Sequence, residues 1–400
     1  MANNARAQYR RKVPESFPDR ISLVDKIKLE TSIVAALREK LASTGTVLAD
    51  HFLEAAARSA IDAGTLVDYK KGGSSDIQLR YGLNPGQPAA FYEEEGASGP
   101  NIGNIEVLQE GGKGLGYINV GDTDLGIAVV RRMSHLYPDD LHCVIMKHEI
   151  PSAFAKGKDP DETYELAWQG DSLSNFGGVT VCSYEITVVM AAALADKVRN
   201  AEVIVAPGYT DHAMERLRTR KDLRIVRVPS FREESHSLGW LVRSLTGGLL
   251  VQNEPYSKID SPEDLTCVSK TQPTPEQLRA AVLQWNLAYF VRSNAVVIGD
   301  ENKSHGIGAG QQSRIDAAEI AITKSRRGYG PVNTVMASDA FMPQTDVVEA
   351  ARLTGVRAIV YPLGSVKDGE IIEAADKIGI VLLATRRPGE TDCERGFYHR

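Results

Sequence analysis

From residue 74 onward, short runs of β-branched and apolar residues alternate with longer stretches whose apolar side chains recur every three or four positions. No other feature narrows the fold so far. Apolar strands followed by amphipathic helices bury both faces only as helices layered on a sheet. Runs at 143–146, 178–182, 203–206, 225–228, 249–252, 295–298, 334–337, 358–361 and 380–384 predict strands. Helices are predicted over 122–135, 185–197, 211–220, 274–291, 312–325, 346–354 and 368–378. Residues 1–73 read differently, with helical spacing at 32–41 and 48–61, and Lys70-Lys71-Gly72-Gly73-Ser74-Ser75 breaks that pattern. Thr271-Gln-Pro-Thr-Pro275 marks a seam between two α/β halves. The expected organisation is a helical N-terminal extension over 1–73, a first α/β unit over 74–270 and a second over 271–400.

The chain of 400 residues is 42% hydrophobic and 24% charged, which excludes a mainly disordered protein and supplies enough apolar side chain for large cores. A formal charge of -6 gives no bulk attraction for nucleic acid or an anionic membrane. The start lacks an apolar signal segment, and no run of about 18 apolar residues occurs, so neither secretion nor membrane spanning is expected. Cys143, Cys182, Cys267 and Cys393 have no CxxC spacing and read as reduced thiols of a cytoplasmic protein.

Familiar motifs fail on inspection. Gly306-Ile-Gly308-Ala-Gly310-Gln311 lacks the last glycine of a dinucleotide fingerprint, leaving a tight strand-to-helix turn or an anion-binding turn. Gly111-Gly-Lys113-Gly114 has the wrong spacing for a P-loop, and His148-Glu149 lacks a second His four residues on. There is no Pro-Cys-x-x-Cys to hold a deaminase zinc and no Gly-x-Ser-x-Gly elbow.

An ordered set of segments carries more information. It comprises Leu79-Arg80-Tyr81-Gly82-Leu-Asn84-Pro85-Gly86-Gln87, Tyr117-Ile-Asn119 with Asp122, Lys147-His148, and Ser174-Asn-Phe176-Gly177-Gly178. Glu202-Val-Ile-Val-Ala206-Pro207, Gly247-Gly-Leu-Leu-Val-Gln252 and Arg292-Ser293-Asn294-Ala295 follow. The set closes with Gly306-Ile-Gly-Ala-Gly-Gln-Gln-Ser-Arg314, Ala337-Ser338-Asp339-Ala340-Phe341-Met-Pro343, Pro362-Leu-Gly364-Ser365 and Arg395-Gly-Phe397-Tyr-His399. Over about residues 76–400 the chain thereby resembles the transformylase part of the AICAR transformylase/IMP cyclohydrolase family, the bifunctional enzyme of purine biosynthesis. The resemblance implies two cytidine-deaminase-like α/β/α units without the deaminase zinc. It also implies a homodimer with active sites at the subunit interface, and small-molecule nucleotide and folate partners. It leaves open whether a monovalent cation is bound. Only about 75 residues precede the match, so ring closure to IMP is not expected of this chain.

The implied reaction moves a formyl group from 10-formyltetrahydrofolate to the 5-amine of AICAR. That amine is a weak nucleophile, so it must be positioned and relieved of a proton as the bond forms. The resemblance implies that His148 moves the proton and that Lys147 would stabilise charge on the formyl oxygen. Neighbouring residues on a strand face opposite ways, so the strand must end near His148, and Pro151 is the expected reason. Asn294 matches the family asparagine that orients the formyl group, and the three groups are expected to converge. Arg80, Tyr81 and Arg395 are expected on the ribose phosphate, Gly177 and Glu202 against the nucleotide, and Phe341 as an apolar wall. Pro343, Asp346 and Ser365 would meet the folate. Departures from the family pattern fall at Gly86, Ile150, Ala153, Gln344 and Val347, and a further insertion precedes Arg395. They suggest a retained nucleotide site and an altered donor site. Two alternatives stand beside the transformylase reading: a related transferase using another amino-heterocycle nucleotide or donor, and a nucleotide-binding regulator.

Overall fold

The computed structural model describes residues 20–22, 68–71, 77, 79, 81–87, 89–94, 97–112, 114–233, 240–246, 248–253, 257–327, 333–352 and 354–386. The helical stretches expected at 32–41 and 48–61 lie outside these residues. The described ends of that region are strands: β1 (Arg20–Ser22) pairs antiparallel with β2 (Asp68–Lys71), which pairs with β3 (Tyr92–Glu94). Lys70 and Lys71, expected in a linker, therefore belong to a sheet.

The first α/β unit runs β4 (Glu106–Glu110), α1 (Tyr117–Leu136), β5 (Leu141–Lys147), β6 (Ile150–Gly157), α2 (Pro160–Gly170), the one-turn α3 (Ser172–Asn175) and β7 (Val179–Cys182). It continues through α4 (Val188–Ala195), β8 (Val203–Ala206), α5 (Asp211–Leu217) and β9 (Arg224–Arg227). Its six strands lie in the order β4-β9-β8-β7-β5-β6, with β7, β8 and β9 parallel. A separate hairpin follows, β10 (Trp240–Leu245) with β11 (Gly248–Asn253). The second unit runs β12 (Thr266–Cys267), α6 (Pro275–Ala288), β13 (Val296–Gly299), β14 (Ser304–Gly308) and α7 (Arg314–Ser325). It ends with β15 (Thr334–Ser338), α8 (Asp346–Arg352), β16 (Val356–Tyr361), α9 (Asp368–Ile378) and β17 (Val381–Ala384). Its sheet order, β12-β17-β16-β15-β13-β14, repeats the first topology.

Alternation along the strands splits the sheets into two faces. Val203 and Val205 of β8 join one apolar cluster and Ile204 and Ala206 another. The first cluster also holds Val129, Val130 and Met133 of α1, Leu283 and Trp285 of α6, and Val335 and Ala337 of β15. One core thus runs under both sheets. Arg132 of α1 reinforces it by donating to Asn286 Oδ1 of α6 at 3.0 and 2.8 Å. The edge strands also meet: Ala155 bridges antiparallel to Lys303, and Lys156 N donates to Asn302 O at 2.8 Å.

The glycine-rich motif changes meaning in the fold. Gly306 and Gly308 lie within β14, and only Gly310, with φ of 68°, belongs to the turn. A Cβ on Gly306 or Gly308 would collide with the Ala321 or Ala317 carbonyl of α7. These glycines let a helix backbone press on a strand; they do not form an anion-binding turn. Cys143 and Cys182 are not scattered in space. They face each other across β5 and β7 as free thiols, Sγ to Sγ 3.7 Å. No helix among the described residues is long and apolar enough to cross a membrane.

Candidate active site

Strand directions gather the candidate residues at one end of the double sheet. β5 is antiparallel to β7, so its carboxyl end, Lys147, lies beside the amino ends of β7, β8 and β9. Following the antiparallel pairs across the seam puts the amino end of β13 and the carboxyl ends of β14, β15 and β16 at the same end.

Four first-unit side chains meet there. Lys147 Nζ donates to the carbonyl of Phe176. Gly177, with φ of 74°, brings its backbone so close that a Cβ would stand 3.5 Å from Lys147 Nζ and 3.9 Å from Glu202 Oε1. Glu202 Oε2 accepts from Asn119 Nδ2 at 3.2 Å, and Asn119 Oδ1 accepts from Gly116 N at 3.1 Å. An ammonium and a carboxylate therefore rim one glycine, and an amide holds the carboxylate from its other oxygen. Arg224 Nε donates to Gly114 O at 2.5 Å. Burial works against its charge, while Glu202, Asp222 and Tyr81 sustain it, which ties Tyr81 electrostatically to the same corner.

His148 projects from the tip of the β5–β6 hairpin and is exposed. β5 does end at Lys147, but the reason is not proline. Lys147 pairs with Ile150, leaving His148 and Glu149 as a two-residue turn with φ of 56° and 59°. Pro151 sits inside β6, opposite Met146 and beside a bulge. Positive φ costs a residue with a Cβ on the order of 1 kcal/mol. Asp122 Oδ2 accepts from His148 N at 3.3 Å and Oδ1 from Glu149 N at 2.5 Å. Burial pushes the Asp122 carboxyl above its ordinary range, and these two amides pull the other way.

Asn294 belongs to a second cluster. Its Nδ2 donates to Gln311 O at 2.8 Å, and its Oδ1 accepts from Arg314 Nη2 at 2.6 Å. Arg314 Nη1 also binds Asp339, which is fully buried and accepts from Ala295 N at 3.0 Å. Phe341, 37% exposed, follows on the same loop. Pro343 is exposed, and Asp346 opens α8, its Oδ1 accepting from Val347 N at 2.8 Å. Ser365 Oγ accepts from Lys367 N at 3.2 Å, and Lys367 Nζ reaches Gln344 at 2.7 Å. The folate candidates thus share one end of the second sheet.

Within one chain the two clusters stay apart. β6 and β14 stand between β5 and β13, a separation of about 14 Å at ordinary strand spacing. No described hydrogen bond joins Lys147 or His148 to Asn294, so the three do not converge on one point in a single chain. Arg80 and Arg395 lie outside the described residues. Asn119, Asp122, Arg224, Arg314 and Asp339 were given no role from sequence. All but Arg224 stand in the quoted segments, and Arg224 has no local signal. Of the departures, Ala153 and Val347 are fully buried and concern packing. Among the described residues no three His, Cys, Asp or Glu side chains group as metal ligands.

The chain belongs to the AICARFT/IMPCHase bienzyme family, which it matches over residues 22–324. That match takes in most of the stretch expected to be a separate extension. The chain is 37% identical over 308 residues to the bifunctional purine biosynthesis protein PurH of Acidithiobacillus ferrooxidans, covering 77% of this chain. It spans 57% of that relative's length.

Proposed function

We propose that this chain is a formyltransferase moving the formyl group of 10-formyltetrahydrofolate to the 5-amine of AICAR. The observation that carries this is the convergence of Lys147, Gly177, Glu202 and Asn119 beside a rigid turn bearing His148. Glu202 and Asn119 offer an acceptor and a donor to the polar edge of a flat heterocycle, with Gly177 leaving room for close approach. Tyr81 and Arg224 mark the side for the ribose phosphate, where Arg80 and Arg395 would join them. His148 takes the proton from the attacking amine and returns it to the departing folate nitrogen. Lys147 counters charge on the formyl oxygen.

The Asn294 cluster completes the site from a second copy of the chain. The 14 Å gap within one chain supports this, as does the placement of both clusters at the same sheet end. Arg314 fixes the Asn294 amide so that it meets the formyl oxygen in one orientation. The donor lies along Phe341, Pro343, Asp346 and Ser365. Among the exposed departures only Gln344, held by Lys367, lies with them, so one altered contact to the donor is the remaining difference.

The test is a steady-state assay of purified protein with AICAR and 10-formyltetrahydrofolate, following formylated product and any IMP. Product formation lost in Lys147→Ala or His148→Ala, with AICAR binding kept, supports the proposal. Turnover unaffected by both substitutions rejects it.

A further inference from the structure

Asp122 is nearly fully buried, 4% exposed, yet its described hydrogen-bond partners are two main-chain amides of an exposed turn. A buried carboxylate is costly unless its oxygens are satisfied, so this arrangement is a built feature of the fold. The turn it grips is unfavourable by itself. A two-residue hairpin loop with positive φ at both positions suits Asn and Gly, whereas this one carries His148 and Glu149. Neither side chain caps the turn by a described hydrogen bond. The cap comes from the neighbouring helix α1, 26 residues earlier for His148 and 27 for Glu149. Gly121, next to Asp122, clears the space into which the Glu149 carboxylate leans. One turn back on the same helix face, Asn119 reaches Glu202. A single rigid helix therefore sets the distance between the nucleotide corner and the imidazole.

We propose that Asp122 is a positioning residue: its carboxylate clamps the His148-Glu149 turn in the left-handed conformation that aims His148 at the reacting amine. This rests on the reading of His148 as the proton-transfer group. Without the clamp the turn relaxes toward negative φ, and His148 swings away while Asn119, Glu202 and Gly177 stay in place. Loss should appear in kcat rather than in nucleotide binding, since displacing a catalytic group by about 1 Å can cost on the order of 100-fold.

The experiment compares the full-length protein with Asp122→Asn, Glu149→Gly and the double variant. In Asp122→Asn, kcat should fall roughly 10- to 100-fold with KM for AICAR changed less than about threefold. Amide hydrogen exchange at His148 and Glu149 should speed up at least about tenfold. Adding Glu149→Gly should recover much of the lost kcat, because glycine takes positive φ freely; a merely structural role of Asp122 predicts no such recovery. A folded Asp122→Asn protein with normal kcat and normal exchange overturns the proposal. If Asp122→Asn does not fold, the double variant should refold, and an unfolded double variant overturns it as well. Should the wild type lack formyl transfer, the functional reading fails, and the exchange measurement alone decides whether Asp122 clamps the turn.

Discussion

The two α/β units share one topology but run their parallel strands in opposite directions, and they present opposite ends to the candidate site. The first offers the β5–β6 turn and the amino ends of β7, β8 and β9. The second offers the amino end of β13 and the carboxyl ends of β15 and β16. The matching hairpin turns show what this does. In the second unit the β13–β14 turn lies at the far end and caps itself, Asp300 Oδ1 accepting from Asn302 N at 2.7 Å and Lys303 N at 2.9 Å. Burial raises Asp300, but its contact with His305 and these amides outweigh that and leave it below the ordinary range. In the first unit the turn positions are occupied by His148 and Glu149, and the cap is lent by α1. The turn that bears the proposed proton-transfer group takes its cap from a distant helix, whereas its counterpart supplies its own.

The sharpest way to break this comparison is to ask whether the units cooperate across a dimer. His148→Ala and Asn294→Ala should each lower kcat about 100- to 10,000-fold. Mixed and reassembled, the two inactive proteins should regain about a quarter of wild-type activity, because half of the dimers then hold one intact site. A site contained in one chain would give no recovery.

Next in size is the buried pair of the second cluster. Arg314→Ala strands the Asp339 carboxylate and should cost about 3–5 kcal/mol of unfolding free energy by urea titration. Glu202 is exposed, so Glu202→Gln should change stability by less than about 1 kcal/mol while weakening AICAR binding. Equal losses in both variants would erase the distinction between a buried frame and a binding rim.

The first unit should also respond to acid. Burial depresses His142 to about 4, with Ser134 and Ser183 hydroxyls beside its Nδ1 at 3.3 and 3.4 Å. The unfolded chain binds the proton more readily, so stability is complete above about pH 6.5 and is lost as pH falls toward 4. The expected loss is about 3 kcal/mol, and it should be missing from the pH dependence of His142→Gln. An unchanged acid slope in that variant would remove His142 from the account.

Smallest is a packing test in the second unit. Gly308→Ala forces the Cβ against the Ala317 carbonyl and should destabilise by about 1–3 kcal/mol without altering KM for AICAR. A loss of nucleotide affinity instead would revive the anion-binding reading of that motif.

Legibility in the sequence followed the range of the forces. Strands such as Val203–Ala206 and helices such as Asp368–Ile378 announced themselves, because apolar periodicity is local. Strand β6 was hidden by Pro151 and small residues, which read as the end of structure. Helix α2 does not stand among the expected helices, although Asp159 caps it and Pro160 occupies its first turn. Gly306 and Gly308 resemble a turn in sequence, since the helix backbone that explains them is a non-local neighbour. Lys147, Gly177 and Glu202 were named by family motif, and the fold brings them together. Asn294 is named by family motif as well, but its distance from Lys147 is not legible.

By itself the sequence determined the alternating α/β pattern, the family and the chemical types available, because these depend on side-chain identity and short-range periodicity. Tertiary structure alone decided that the two sheets meet at β6 and β14, that both clusters share one end, and that Asp122 grips the His148 turn. Each depends on strand direction and edge pairing between segments far apart in the chain, and no local preference specifies which partners those edges choose.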